Sequence, residues 1–365
     1  MSRFRRVLSS IKPTRAKGFA AAWRQYLDML WMGAIWKLTP LEYRSYQFGR
    51  KNLTSKEKKS YLRIKDAETR LRPALNAPEW APLLENKLIF NSYYSQRGIA
   101  VPKLYGMFHP VYGSDVEGNS LRTAEDLRRW LETGQIREFV IKPLAGAAGA
   151  GVLVLEVKDK KNIAFADREG REYTPEDLVA FMSQPLPYRE QGFILEERVT
   201  GHPDVSKYNP SSVNTCRVVT FMDYQGEIHL PLAVLRMGVR GKNTDNWHTG
   251  GIAAGIDPRT GIIGEGVVRP EFGGARYTRH PDSGLIFAGE KVPQWQEIVS
   301  LTRKAARMTP FIHTVGWDVA ATPQGPVLIE ANFNWGPMMV QAAQGGMLTP
   351  EMRRELKKFG LHFPE

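Results

Sequence analysis

The chain has 365 residues but only one cysteine, Cys216, so no disulfide can form within it and stability must come from apolar cores. Such a composition fits a reducing compartment, and a cytoplasmic protein is expected. Also missing is any uninterrupted apolar run of about 20 residues, which excludes an ordinary membrane-spanning helix. No small-residue cleavage site follows an apolar stretch, so no secretory signal is read. Internal repeats and low-complexity tracts are absent, and no zinc spacing links His248, His280 and His313. Hydrophobic residues at 42% and charged residues at 24% exclude a disordered or collagen-like chain. The length instead supports two or three packed lobes.

Positive charge is in excess: 50 Lys and Arg stand against 38 Asp and Glu, a net charge of +12. That balance would ordinarily point to nucleic acid. Its distribution argues otherwise, because residues 1–80 hold 18 basic and 6 acidic residues while residues 81–365 hold 32 of each. The body is neutral, nucleic acid is not an expected partner, and a non-catalytic nucleic-acid or membrane-binding reading rests on the first segment alone.

Within that segment, Trp23, Leu27, Leu30 and Trp31 recur at helical spacing between Gly18 and Leu38, which predicts an amphipathic helix. Two readings stand: the helix docks on the body, or it lies on an anionic membrane, where Trp flanked by Lys and Arg is favoured. Ser55 to Leu71 reads as a second, basic helical stretch. Beyond it, Leu83 to Arg97 is expected to be a helix ended by Gly98, followed by an extended segment from Ile99 to Tyr105. Another short helix covers Asp126 to Glu132.

The most informative stretch runs from Phe139 to Val157. A strand, Phe139 to Pro143, meets a loop of small residues, Leu144 to Gly151, and a second strand starts at Val152. Glycine and alanine let backbone N–H groups approach phosphate oxygens, and Lys142 sets a positive charge beside them. A strand after the loop contradicts both the Walker and the dinucleotide fingerprints, which require a helix there. By itself the loop is equally a plain hairpin tip. Downstream, Gly192 to Val199 is an apolar strand ending in Glu196 and Glu197, acceptors suited to an adenosine amine and ribose hydroxyls. Arg217 lies in the strand-like run from Ser211 to Thr220, and Arg236 in Leu232 to Met237. Each is placed either to neutralise phosphate or to form an ordinary ion pair. Finally, Val315 to Ala321 and Val327 to Asn332 flank a Pro-Gln-Gly-Pro turn, Pro323 to Pro326, and form a hairpin. Glu330 and Asn332 share one face and Asp318 sits on the partner strand. Three oxygen donors of this kind select a hard cation such as Mg²⁺.

In this order the parts resemble the ATP-grasp superfamily. More narrowly, Asn209-Pro210-Ser211-Ser212-Val213-Asn214-Thr215, Gly316-Trp317-Asp318-Val319-Ala320 and Gly325 to Asn332 are similar to the sugar-transfer-associated ATP-grasp family, from about Leu83 to Leu348. The resemblance implies an α+β ATP-grasp fold in which two lobes clamp ATP. It implies that Lys87 and Lys142 contact phosphates and that Gly146, Gly149 and Gly151 belong to a mobile lid. Glu196, Glu197 and Val199 would meet adenine and ribose, Arg217 and Arg236 the triphosphate or an acyl phosphate, and Asp318, Glu330 and Asn332 the Mg²⁺. The loop departs from the family pattern in lacking Ser or Thr, so it offers phosphate no hydroxyl. Asp245 to Gly251 also looks like the family pattern, and its His248 is either a substrate-orienting group or base, or a structural loop histidine.

The expected organisation is a basic helical segment (1–80), an α/β segment (81–138), one lobe with loop and hinge (139–200), one lobe with the metal and phosphate site (201–350), and a tail (351–365). The implied chemistry is ATP-dependent ligation of a carboxylate to an amine, with an amino acid or amino sugar among the acceptors, in surface polysaccharide or glycoconjugate assembly. A phosphotransferase on the same fold is the alternative. Residues 1–72 would supply any peripheral contact with the inner face of an anionic membrane.

Overall fold

The computed structural model describes residues 19–50, 53–134, 136–146, 151–159, 164–183, 192–241 and 244–364. The chain enters through α1 (Phe19–Trp36) and α2 (Pro40–Ser45). A capping box fixes the turn between them: the Thr39 hydroxyl accepts from the Glu42 amide and the Glu42 carboxylate accepts from the Thr39 amide. Asp28 anchors the rotation of α1, accepting from the Tyr43 hydroxyl at 2.7 Å and pairing with Lys58 at 3.3 Å. Met29 and Met32 therefore turn inward, with Tyr43, Tyr46, Phe48 and Leu62. The stripe that marks the amphipathic helix in sequence, Trp23, Leu27, Leu30 and Trp31, faces outward. Periodicity located the helix but not which of its two apolar sides the body takes.

The basic stretch that follows is not one helix. A short helix, Ser55–Lys59, is separated by Ser60 to Arg63 from the turns that carry Ile64 to Leu75. Its link to the body is Gln341, fully buried. The Gln341 side chain accepts from the Leu62 amide and donates to the Leu62 carbonyl, both at 2.8 Å.

The expected helix from Leu83 to Arg97 is broken at Asn86. That residue is extended (φ −89°, ψ 113°), and its Oδ1 accepts from the Leu88 and Ile89 amides. It thereby caps a new helix, α3 (Lys87–Ser95). Two seven-stranded sheets follow, with every neighbouring pair antiparallel. The first contains β1 (Leu104–Phe108), β2 (Ser114–Asp115), β3 (Glu138–Pro143), β4 (Leu153–Asp159), β5 (Ala164–Asp167), β6 (Glu172–Tyr173) and β7 (Phe193–Glu197). Their order is β2-β1-β7-β3-β4-β5-β6. Because β1 bonds to β7, the boundary expected at residue 138 falls inside one sheet. Helices α4 (Ala124–Thr133) and α5 (Pro175–Ser183) belong to this lobe, whose core joins Leu127, Phe139, Phe165, Leu178 and Phe193.

The second sheet contains β8 (Cys216–Met222), β9 (Ile228–Met237), β10 (Ile252–Ile256), β11 (Ile263–Val267), β12 (Arg276–Tyr277), β13 (Thr314–Ala320) and β14 (Val327–Asn332). They lie in the order β12-β11-β10-β9-β8-β13-β14. Alternation splits its side chains between two layers. Val218, Leu235 and Trp317 pack with Phe90 and Tyr94 of α3 and with Ile298 of α6 (Trp295–Arg307). Val219 and Val234 share the opposite core with the N-terminal segment, with α7 (Pro337–Gln344) and with α8 (Pro350–Lys358). The N-terminal segment is thus docked on the second sheet.

Gln341→Leu keeps the volume but leaves the Leu62 and Met347 amides without their acceptor and the Leu62 carbonyl with only the Tyr46 hydroxyl at 3.3 Å. It is expected to lower stability by about 3 kcal/mol, read as a reduced urea midpoint at unchanged slope.

Candidate active site

The centre of the site is a row of charges set by strand register. On β13, Asp318 lies directly opposite Glu330 of β14 on one side and Arg217 of β8 on the other. All three therefore project to one face. Arg236, on β9, reaches the same carboxylate. Asp318, only 1% exposed, receives Arg217 through Nε at Oδ1 and through Nη2 at Oδ2, the latter at 3.0 Å. The Nη2 of Arg236 lies 2.8 Å from Asp318 Oδ2. Burial opposes ionisation of Asp318, yet the two guanidinium groups outweigh it and hold the carboxyl well below its usual range. Glu330 responds in the opposite direction. Burial and the facing Asp318 charge raise its pKa, partly offset by Lys87 and Arg236. Of the two carboxyls, Glu330 is the one that takes up a proton.

Small and polar residues make this packing sterically feasible. Gly316, two residues before Asp318, has no room for a side chain: a Cβ there would lie 2.5 Å from the Trp335 Cβ and 3.2 Å from the Arg217 Cδ. Arg236 is steered from behind by Thr215, whose hydroxyl accepts from its Nη2 at 2.5 Å and from its Nε at 3.1 Å. Asp245 in turn accepts from the Thr215 hydroxyl and amide, both at 2.7 Å. Just before Thr215, the run Asn209 to Asn214 forms a buried knot. The Asn214 Oδ1 accepts from the Ser212 hydroxyl and the Gly238 amide, while its Nδ2 donates to the Val205 and Asn209 carbonyls. Sequence reading missed the roles of Thr215 and Asp245, although both stand inside runs it singled out. Their pairing across 30 residues is a property of the fold.

Two lysines come from outside the second sheet, Lys142 from the first sheet and Lys87 from α3. Lys142 on β3 pairs with Glu196 on the adjacent β7. Lys87 opens α3, its amide donating to the Leu144 carbonyl at 3.0 Å and its ammonium to the Gly146 carbonyl at 3.3 Å. Burial lowers the pKa of Lys87, Glu330 acts against this, and Lys142 adds to the depression. Lys87 therefore sits in the fields of both sheets at once. Gly146 and Gly151, at the two ends of the loop, adopt φ of 129° and 76°, conformations that L side chains avoid. Gly149 lies outside the described residues. Glu197 is exposed and Val199 half-buried just past the end of β7.

His248 lies on a short turn, Trp247–Thr249, whose Trp247 is pinned by donating to the Val267 carbonyl at 2.9 Å. Partial burial and the positive charges of Arg269, Arg217 and Arg236 lower its pKa, against Glu271, so the imidazole is neutral at pH 7. Arg269 is a third residue whose role is not read from the sequence. It lies over the Trp247 ring at 5.5 Å. Asn332 donates its amide to the Gly316 carbonyl at 3.3 Å. Among the described residues no cluster of three His, Cys, Asp or Glu side chains forms a metal site. The expected trio of Asp318, Glu330 and Asn332 is two carboxylates and an amide, brought to one edge of the second sheet. Cys216 takes no part: burial pushes its thiol up to about 12, which leaves it an inert core residue.

The two antiparallel sheets and the match to an ATP-grasp family pattern define the α+β ATP-grasp fold. The chain belongs to the sugar-transfer-associated ATP-grasp family, whose pattern matches residues 66–358. No curated protein matches it. Among solved structures it is similar to the ATP-grasp ligase PsnB complexed with minimal precursor, Mg and ADP, at 13% identity over 79% of this chain and 62% of that one, with a TM-score of 0.41. It is also similar to an L-amino acid ligase from Bacillus licheniformis, at 13% identity over 76% and 49% of the two chains, with a TM-score of 0.41. An ADP complex of N5-carboxyaminoimidazole ribonucleotide synthetase matches at 12% identity over 68% and 44%, with a TM-score of 0.38. The chain spans less than two thirds of the length of each of these three.

The two facing carboxyls have opposite linkage to stability. Asp318 has a depressed pKa, so its stabilisation is present above the unfolded carboxylate value of about 4 and is lost as pH falls through its lower folded value. Glu330 has a raised pKa, so its ionisation costs stability as pH rises through about 4 and beyond. At pH 7, Asp318→Asn is expected to destabilise by about 3–5 kcal/mol, since two buried guanidinium groups lose their counter-charge. Glu330→Gln is expected to stabilise, with a gain that shrinks toward pH 4. Urea unfolding at the two pH values checks both signs.

Proposed function

We propose that the protein is an ATP-dependent carboxylate–amine ligase that works through an acyl phosphate. The observation that carries this reading is Lys87, whose ammonium donates to the Gly146 carbonyl of the small-residue loop and feels the charges of Lys142 and Glu196 of one sheet and Glu330 of the other, while the second sheet holds the Arg217–Asp318–Arg236 cluster. Cations supplied from both sheets suit a triphosphate held between them.

In the proposed reaction a carboxylate oxygen of the acid attacks the γ-phosphorus of ATP. The bond from that phosphorus to the β–γ bridging oxygen breaks, and ADP leaves. An amine nitrogen then attacks the acyl carbon, phosphate departs, and the nitrogen gives up a proton. Lys87 and Lys142 hold phosphate oxygens, with backbone amides of the glycine-alanine loop contributing in place of hydroxyls. Glu196, Glu197 and Val199 receive the adenosine. Arg217 and Arg236 neutralise the transferring phosphoryl group. Asp318 positions both arginines, so their charge is preorganised before substrate arrives. His248, kept neutral by its cationic surroundings, accepts the amine proton.

The donor chemistry fits Mg²⁺. A half-buried carboxyl whose pKa is raised by a second carboxylate is the type of group that a hard cation relieves. Glu330 and Asn332, with Asp318 beside them, would hold the ion, which when bound neutralises charge across the phosphates. The family description associates the fold with sugar transfer; the role proposed from this is in building surface polysaccharide or glycoconjugate, with an amino acid or amino sugar as the proposed reactant. A single buried cysteine and dependence on ATP support a cytoplasmic enzyme.

The reading is tested by incubating the protein with ATP, Mg²⁺ and panels of acids, amines and polyols. ADP release that needs both an acid and an amine is expected, and Glu330→Ala should lower it by roughly a hundredfold or more. ADP formed with a hydroxyl compound alone would instead mark a phosphotransferase. Full activity in Glu330→Ala would remove the assignment of the metal and phosphate site.

A further inference from the structure

A row of exposed large apolar side chains lies on α1. Leu27, Leu30, Trp31 and Ile35 are 51–59% exposed and Trp23 is 50% exposed. At 3.6 residues per turn these five share one side of the helix, opposite the Met29 and Met32 side that packs on the body. Scattered exposed apolar residues need no explanation, but five large ones from Trp23 to Ile35, between three and four turns, form a continuous stripe.

The charge of the segment that carries the stripe selects its occupant. Residues 1–37 contain eight Lys and Arg and one acid, Asp28, and Asp28 is already paired with Lys58 and bonded to Tyr43. Two copies of so basic a segment would repel one another, and nucleic acid offers no apolar phase for leucine and isoleucine. An anionic bilayer accepts both features, taking the apolar stripe at the acyl boundary and the cations among its headgroups. Among the described residues no helix is long and apolar enough to cross a membrane, which leaves a helix lying in the interface plane. Asp28 ties that helix to Tyr43, and Met29 and Met32 share a core with Val219 and Val234 of the second sheet, so a membrane-bound α1 carries the body with it.

We propose that the outward face of α1 is a docking surface for an anionic lipid bilayer, on which the helix lies flat and holds the enzyme at the membrane. This inference is independent of the ligase reading. The full-length protein is sedimented with phosphatidylcholine vesicles that contain or lack phosphatidylglycerol. Binding is expected only with phosphatidylglycerol and should weaken as salt is raised. The double variant Leu27→Glu, Trp31→Glu should bind roughly tenfold less tightly or worse. Its thermal unfolding should match the unaltered protein, since neither side chain is buried. Failure to bind anionic vesicles, or equal binding by the variant, would overturn the proposal. Concentration-dependent dimers that the variant abolishes, with no vesicle binding, would assign the face to a second copy instead.

Discussion

A carboxylate that is almost wholly removed from water must be answered by fixed positive charge, and much of the second lobe is arranged around that requirement at Asp318. Arg217 answers from the adjacent strand in register, and Arg236 from the strand beyond. Neither arginine is then free to wander. Thr215 and Asp245 tie down Arg236, and the Asn209 to Asn214 knot holds Thr215 in position. Even Gly316 follows from the same constraint, because the space it leaves is filled by Trp335 and the stem of Arg217. The result is a pair of cations whose orientation is settled before a substrate arrives, the condition under which charge is most effective in transfer chemistry.

The neighbouring carboxyl illustrates how register turns one interaction into a second. Glu330 faces Asp318 across a single strand pair, and the charge that stabilises Asp318 does not extend fully to Glu330. Its raised pKa marks a place where negative charge is under-compensated, and Lys87 at the start of α3 joins Arg236 in offsetting it. The break at Asn86 matters for this reason. A continuous helix from Leu83 would carry Lys87 in its interior, whereas a new helix capped by Asn86 opens with Lys87 against the small-residue loop.

The strands and their chemistry were legible because a strand encodes its facing in a period of two and its motifs are contiguous. Val327 to Asn332 is read from sequence with the limits it has in the structure, and Glu330 and Asn332 share a face as spacing requires. Helical segments were less legible. The run from Ser55 to Leu71 breaks after Lys59, and α1 carries two apolar sides of comparable strength. The choice between those sides rests on Asp28 meeting Tyr43 and Lys58, residues 15 and 30 positions away. The roles of Thr215, Asp245 and Arg269 were hidden for the same reason, since each depends on a partner brought in by a different loop.

By itself the sequence determined the local alternations, the small-residue loop between two strands, the excess of charge in the first 80 residues and the identity of the charged groups available for chemistry. These are properties of neighbours along the chain, and backbone sterics and side-chain spacing suffice to fix them. Only the tertiary structure decided which charges meet, which carboxyl is ionised and which is raised, and which face of α1 is left outside. Those outcomes depend on distance and burial between segments far apart in sequence, where Coulomb interaction and desolvation are set by the packed whole.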